Sequence, residues 1–200
     1  MMGRSHATIG ASAGGSLALA LHVPALALPC ALVGAIGGLL PDLDQPGSTI
    51  ARSCGPLTGA LAHLVHLAAG GHRALTHWPL AWAGVGLALG LGVAPAEPGG
   101  AGLAHTLVLA GCLAYGLHLL ADALTVSGIP GLRPFRGRRL HAAPPGLRIE
   151  TGSPAETIIV AVCLTAIAAL WVTLWRPEAL AVAGASAAWL GDALHTRSLR

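Results

Sequence analysis

An apolar run from residue 7 to residue 40 stops at Pro41, and two carboxylates, Asp42 and Asp44, follow at once in the stretch GGLLPDLDQPGS. As a single helix the run would measure about 50 Å, well beyond the ~30 Å hydrocarbon core of a bilayer. Pro24 and Pro29 interrupt it, so it reads as a hairpin of two short helices, over 9–22 and 30–40. Each arm falls short of the ~20 residues of a full span, which suits a re-entrant pair or one packed inside a bundle. The hairpin returns the chain to its starting side and brings His6 near Asp42. Pro41, Pro46 and Gly47 are helix breakers, so the two acids are expected on a loop or a helix end.

Composition sharpens the meaning of those acids. The chain has only eight acidic residues in 200 and is 54% hydrophobic and 10% charged, whereas a soluble domain carries about a quarter charged residues. Its length allows one domain, residues 1–200. All eleven basic residues are arginine, and they stand beside apolar segments as topology signals, so the net charge of +3 does not argue for nucleic acid. The abundant Ala, Gly, Leu and Val suit membrane helices that pack through small residues. Cys30, Cys54, Cys112 and Cys163 show no CxxC spacing and read as small apolar residues rather than a disulfide framework or zinc ribbon. The segment after Arg4 superficially resembles a signal peptide, but no charged-then-cleavage pattern follows, and an uncleaved segment is expected.

Four further spans are expected, over 78–95, 102–121, 157–175 and 179–195. The first starts at Trp78 and Trp82, which suit the headgroup level. His63 and His66 lie on a short interfacial helix within 56–70, where packing or solvated roles fit them. With this topology Arg4, the polar regions 41–77 and 126–156, and the C-terminal end share one side. That side holds every arginine except Arg176, which places it in the cytoplasm. The expected fold is therefore all-α, a polytopic membrane bundle with a metal site at one face.

Three other stretches supply partners for the acids. His118 and Asp122 are spaced i, i+4 at the end of a span and share a helix face, so both can ligate one ion. His72 and His77 flank Arg73 and Thr76 in HRALTH, a turn running into the helix at Trp78. Imidazole plus carboxylate suits zinc, and carboxylate pairs also admit manganese or magnesium. Arg73 can grip an anionic phosphate at two points. Ser153 and Glu156 form a capping-box pattern with Pro154 at the first helical position, while a glutamate there can also serve as ligand or general base. No nucleophile-elbow, P-loop or dinucleotide fingerprint is present.

The order of these motifs is more specific than any one of them. His6, Leu40 to Asp44 with Ser48, His72-Arg73 with Thr76-His77, Tyr115, His118 to Asp122 with Thr125 and Gly128, Arg139 and Glu156 together resemble the YdjM-type family of bacterial inner-membrane metal-dependent hydrolases. Some of its members are linked by name to the LexA repressor. The family is distantly similar to zinc-dependent phospholipase C, an all-helical fold with His, Asp and Glu ligands. Ala74, Trp78 and Leu117 depart from the family pattern without removing a candidate ligand.

The resemblance implies phosphoester hydrolysis, of a lipid headgroup or a small phosphoester, at the cytoplasmic face of the inner membrane. The ligand set is then His6, Asp42, Asp44, His72, His77, His118, Asp122 and Glu156, enough for two or more divalent ions. Asp44, Arg73 and Glu156 are the candidate catalytic groups, with Arg73 and Arg139 available to developing negative charge. Two rivals remain open: a non-catalytic membrane partner of a regulatory protein, docking through the arginine-rich loop, and a metal transporter, whose ligands would run along the membrane depth.

Overall fold

The computed structural model describes residues 1–92, 102–131, 138–169 and 171–172. Helix α1 (Gly3–Ala20) and helix α2 (Ala27–Leu39) form the expected hairpin, turning through His22 in the left-handed region and a short 3-10 turn at Pro24–Leu26. Both arms are longer than the sequence suggested. The two acids fall at a helix end: α2 tightens after Leu39 into a 3-10 turn, Leu40–Asp44. Pro41 takes an early position in that turn, where its missing N–H costs nothing. Counted from Pro24 to Asp44, this apolar segment is 21 residues long, enough to cross a bilayer.

Glycine sets the packing. A Cβ added at Gly10 would lie 2.2 Å from the Gly34 carbonyl oxygen, one at Gly14 2.1 Å from that of Cys30, and one at Gly38 2.5 Å from that of His6. Those pairs define an antiparallel register in which two backbones touch without side chains between them. Helix α5 (Leu103–Ala123) closes the group, with Gly37 against the Gly111 backbone and Ala114 against Gly10. In lipid no hydrophobic force draws helices together, so close backbone contact of this kind carries the association.

The molecule is built inside out compared with a water-soluble bundle. Its largest fully buried side chains include His6, His77, His118, Glu156, Asp44 and Asp122, while Leu28, Leu32 and Ile36 project outward from α2 at 55–70% exposure. Such an exterior is matched to hydrocarbon. Among the described residues two segments are long and apolar enough to cross a membrane, Pro24–Asp44 and Leu103–Ala123. Three more apolar helices are shorter: α3 (Pro56–Ala69), α4 (Pro79–Gly92) and α6 (Pro154–Ala169). The expected spans at 78–95 and 157–175 overlap α4 and α6; residues 93–95, 170 and 173–175, and the whole of the span at 179–195, lie outside the described residues. The described residues are mostly helical and also hold a two-residue antiparallel pair, β1 (Ile129–Pro130) with β2 (Arg139–Leu140), inside the arginine-rich region.

Candidate metal centre

Five pieces of backbone converge at one end of the bundle. His6 comes from the start of α1, Asp42 and Asp44 from the 3-10 turn after α2, and His118 and Asp122 from the last turns of α5. The HRALTH loop follows α3, which ends in left-handed Gly70 and then Gly71 at φ +105°. Glu156 lies in the first turn of α6.

Asp44 organises the HRALTH loop. Its carboxylate is fully buried and accepts hydrogen bonds from the Arg73 backbone N–H at 3.0 Å and from the Thr76 hydroxyl, with His72 Nδ1 at 2.6 Å. His66 Nδ1 fixes the Asp44 carbonyl at 2.8 Å. To reach Asp44 through its backbone, Arg73 adopts φ +59°, an uncommon conformation for a side-chain-bearing residue and one often kept at functional sites. Its guanidinium then turns to Asp122 Oδ2 at 2.7 Å, to the Ser127 hydroxyl, and to the Gly128 carbonyl at 3.3 Å. Tyr115 pins the loop from α5 by donating to the Thr76 carbonyl at 2.5 Å.

The histidines face one another across this frame. His118 Nδ1 lies 2.7 Å from the Gly38 carbonyl, an acceptor, so that nitrogen carries the proton and Nε2 keeps its lone pair. His118 Nε2 lies 3.2 Å from His77 Nε2, with Asp42 Oδ1 at 3.8 and 3.7 Å and Asp122 Oδ2 at 3.8 and 3.6 Å from the two nitrogens. The His6 ring stacks on His118 with centroids 3.6 Å apart, and His6 Nε2 is 3.3 Å from Asp122 Oδ1. The Met1 ammonium also reaches Asp122 Oδ1, at 2.5 Å.

Three sets of side chains in this cluster have the spacing to hold a cation: His6, His118 and Asp122; Asp42, His77 and His118; Asp44, His72 and His77. In each set the donor atoms lie within 4.8 Å of one another, and His77 and His118 bridge between sets. The donors fit a divalent metal on a further ground. Among the described residues, His6 Nδ1 and Nε2 and Asp122 Oδ2 are buried without a hydrogen-bond partner. Arg73 is near Asp122 Oδ2 as a charge, but no N–H is in line with it. Buried polar atoms left unpaired are costly, and an ion shared by imidazole and carboxylate would satisfy one His6 nitrogen and Asp122 Oδ2 together.

Seven of the eight ligands expected from the sequence therefore come together. Glu156 stands apart in role: its carboxylate accepts from the Ser5 hydroxyl and from the backbone N–H groups of Met2 and Gly152, both at 2.8 Å. Burial opposes its ionisation, but those three hydrogen bonds outweigh burial and hold the carboxyl below the usual glutamate range. Ser153 Oγ accepts from the Glu156 N–H at 3.4 Å, so the capping reading describes this glutamate's local geometry. Glu156 thereby fastens α6 to the start of α1, the turn that carries His6. Arg139 is exposed on β2. Ser5, the Gly38 carbonyl and the supporting bond from His66 had no signal in the sequence, because each depends on a helix crossing.

No curated protein and no solved structure matches the chain. The family model described as YdjM inner membrane protein matches residues 1–191, nearly the whole length, and spans all the residues gathered at the cluster. This chain belongs to the YdjM inner membrane protein family.

Proposed function

We propose that the chain is a multi-pass inner-membrane hydrolase that uses divalent metal, zinc being the best match to the donors, to cleave a phosphoester at the cytoplasmic face. The observation that carries this reading is the pair of imidazole Nε2 atoms 3.2 Å apart, flanked by the Asp42 and Asp122 carboxylates, with His6 orphaned beside them. Metal bound there would supply Lewis acidity and a water acidic enough to act near neutral pH.

The chain's own residues account for the rest. Asp44 and Asp122 are fully buried, whereas Asp42 is 15% and His72 32% exposed, so substrate enters on the Asp42–His72 edge. Arg73 neutralises Asp122 and offers its remaining N–H groups to a phosphoryl oxygen. Hydrolysis joins water's oxygen to phosphorus and breaks the ester P–O bond. The water's proton ends on the leaving alkoxide. Asp42 is the cluster carboxylate exposed enough to carry that proton. The ligands sit at one end of α5 instead of along its length, which favours a hydrolase over a transporter.

Elemental analysis of detergent-purified protein, followed by a phosphoester screen with the metal it retains, tests the reading. His118→Ala combined with Asp42→Ala should strip metal and activity together. Wild-type protein holding no divalent metal, or a double variant with unchanged metal, would defeat it.

A further inference from the structure

The face of α5 that carries Asp122 and His118 continues away from the cluster through Tyr115, Gly111 and Val108. There it forms one wall of an apolar cavity of about 670 Å³. The opposite wall is α4, from Leu80 to Leu89, with Trp82 near its cluster end. At its cluster end the cavity is bounded by Thr76 and Tyr115. These two residues join cavity to site: the Thr76 hydroxyl bonds Asp44, and the Tyr115 hydroxyl bonds the Thr76 carbonyl.

We propose that this groove holds an acyl chain of a membrane lipid whose phosphoester lies at the metal cluster; the inference rests on the hydrolase reading and narrows its substrate class to long-chain lipid phosphoesters. Three features select that occupant. The groove follows a helix long and apolar enough to span a bilayer, so hydrocarbon is the medium at its mouth. Leu80 to Leu89 covers ten residues, about 14 Å of helix rise, which is acyl-chain dimensions. The lining is apolar almost throughout, with Leu80, Val85, Leu89, Leu107 and Val108 among its walls, so hydrocarbon matches it where a polar ligand does not.

Glycine keeps the groove open. A Cβ at Gly84, on the α4 wall, meets no described atom within 4 Å, so a larger side chain there enters free space instead of straining the fold. Gly90 is equally unobstructed on the same helix and does not line the cavity, which makes Gly90→Leu a matched control.

The test uses the full-length protein in vesicles of phosphatidylglycerol with brominated acyl chains, which quench indole fluorescence on contact. The signal of Trp82 is isolated by difference from Trp82→Phe. Quenching of Trp82 is expected in the wild type and in Gly90→Leu, and its loss in Gly84→Leu. Absence of quenching in the wild type overturns the proposal and means that another part of the chain fills the groove. Equal quenching in Gly84→Leu and wild type overturns it as well. Turnover separates this from the hydrolase reading. Gly84→Leu should lower the rate on long-chain lipid relative to bis(nitrophenyl) phosphate, which has no acyl chain, and an unchanged ratio counts against the groove. A protein that quenches normally but hydrolyses neither compound keeps the groove and loses the hydrolase reading.

Discussion

Gly10→Ala tests how the helix packing places the cluster. A methyl group at residue 10 would sit 2.2 Å from the Gly34 carbonyl oxygen, and real Cβ atoms essentially never approach closer than 3.0 Å. Helices α1 and α2 must therefore part by about 0.8 Å, a form of overpacking that typically costs ~1–3 kcal/mol. The obstacle is backbone, so no side-chain rotation relieves it and the upper half of that range applies. Alanine gains ~0.8–1.0 kcal/mol of helix propensity over glycine. The net loss is then ~1–2 kcal/mol, or roughly 2–8 °C in Tm for a chain of this size. His6 lies one turn before Gly10 and moves with it. Ligand distances in metal sites hold to about 0.2 Å, so a displacement several times larger should disrupt the His6–His118–Asp122 set. The assay is thermal unfolding in detergent plus bound metal, measured beside Gly90→Ala, where the same replacement meets no described atom within 4 Å and should raise Tm. If Gly10→Ala melts as high as Gly90→Ala and keeps its full metal complement, backbone contact does not position the site.

Tyr115→Phe removes the donor to the part-buried Thr76 carbonyl and should cost ~0.5–1.5 kcal/mol, read as a lower Tm. Glu156 is held below its usual range when folded, so its contribution is present above the ordinary glutamate pKa and fades as pH falls through the lowered value; the Tm gap between wild type and Glu156→Gln should be full at pH 7 and begin to shrink only below the ordinary glutamate pKa. Removing metal with a chelator should lower Tm, and restoring one divalent ion should recover it, a response absent from the His118→Ala, Asp42→Ala double variant. Exposed Cys54, on the polar side beside α3, should resist a membrane-impermeant maleimide in spheroplasts and react in inverted vesicles, as a cytoplasmic site face requires.

The site was more legible than the scaffold. Asp42, His72, His77, His118 and Asp122 were readable because ionisable residues at the ends of apolar segments have few inexpensive reasons to be there. His6 was readable only through the hairpin, since a lone histidine carries no periodic signal until Pro24 and Pro29 fold it back. Glu156 shows the opposite difficulty: a glutamate three residues after Ser153 looks alike whether it binds a metal or caps a helix, and only the approach of Ser5 and Met2 separates the two. Helix lengths were harder still. Pro41 suggests a break, and α2 does end at Leu39, yet a proline near the start of a 3-10 turn lets helical winding continue to Asp44. The register of α1 on α2 lies in glycines whose meaning appears only when two backbones are brought together.

The long reach between the ends of the cluster bears on how the protein is made. His6 is synthesised more than a hundred residues before Asp122, and at ~5–20 residues per second the interval is on the order of ten seconds. Throughout that time the first hairpin is already made, with a histidine whose partners on α5, His118 and Asp122, do not yet exist. Metal capture at the His6 set therefore belongs to the end of biogenesis, after α5 has been inserted. A chain stalled before residue 118 would leave the His6 imidazole without His118 and Asp122, a buried polar group with neither metal nor partner in the bilayer.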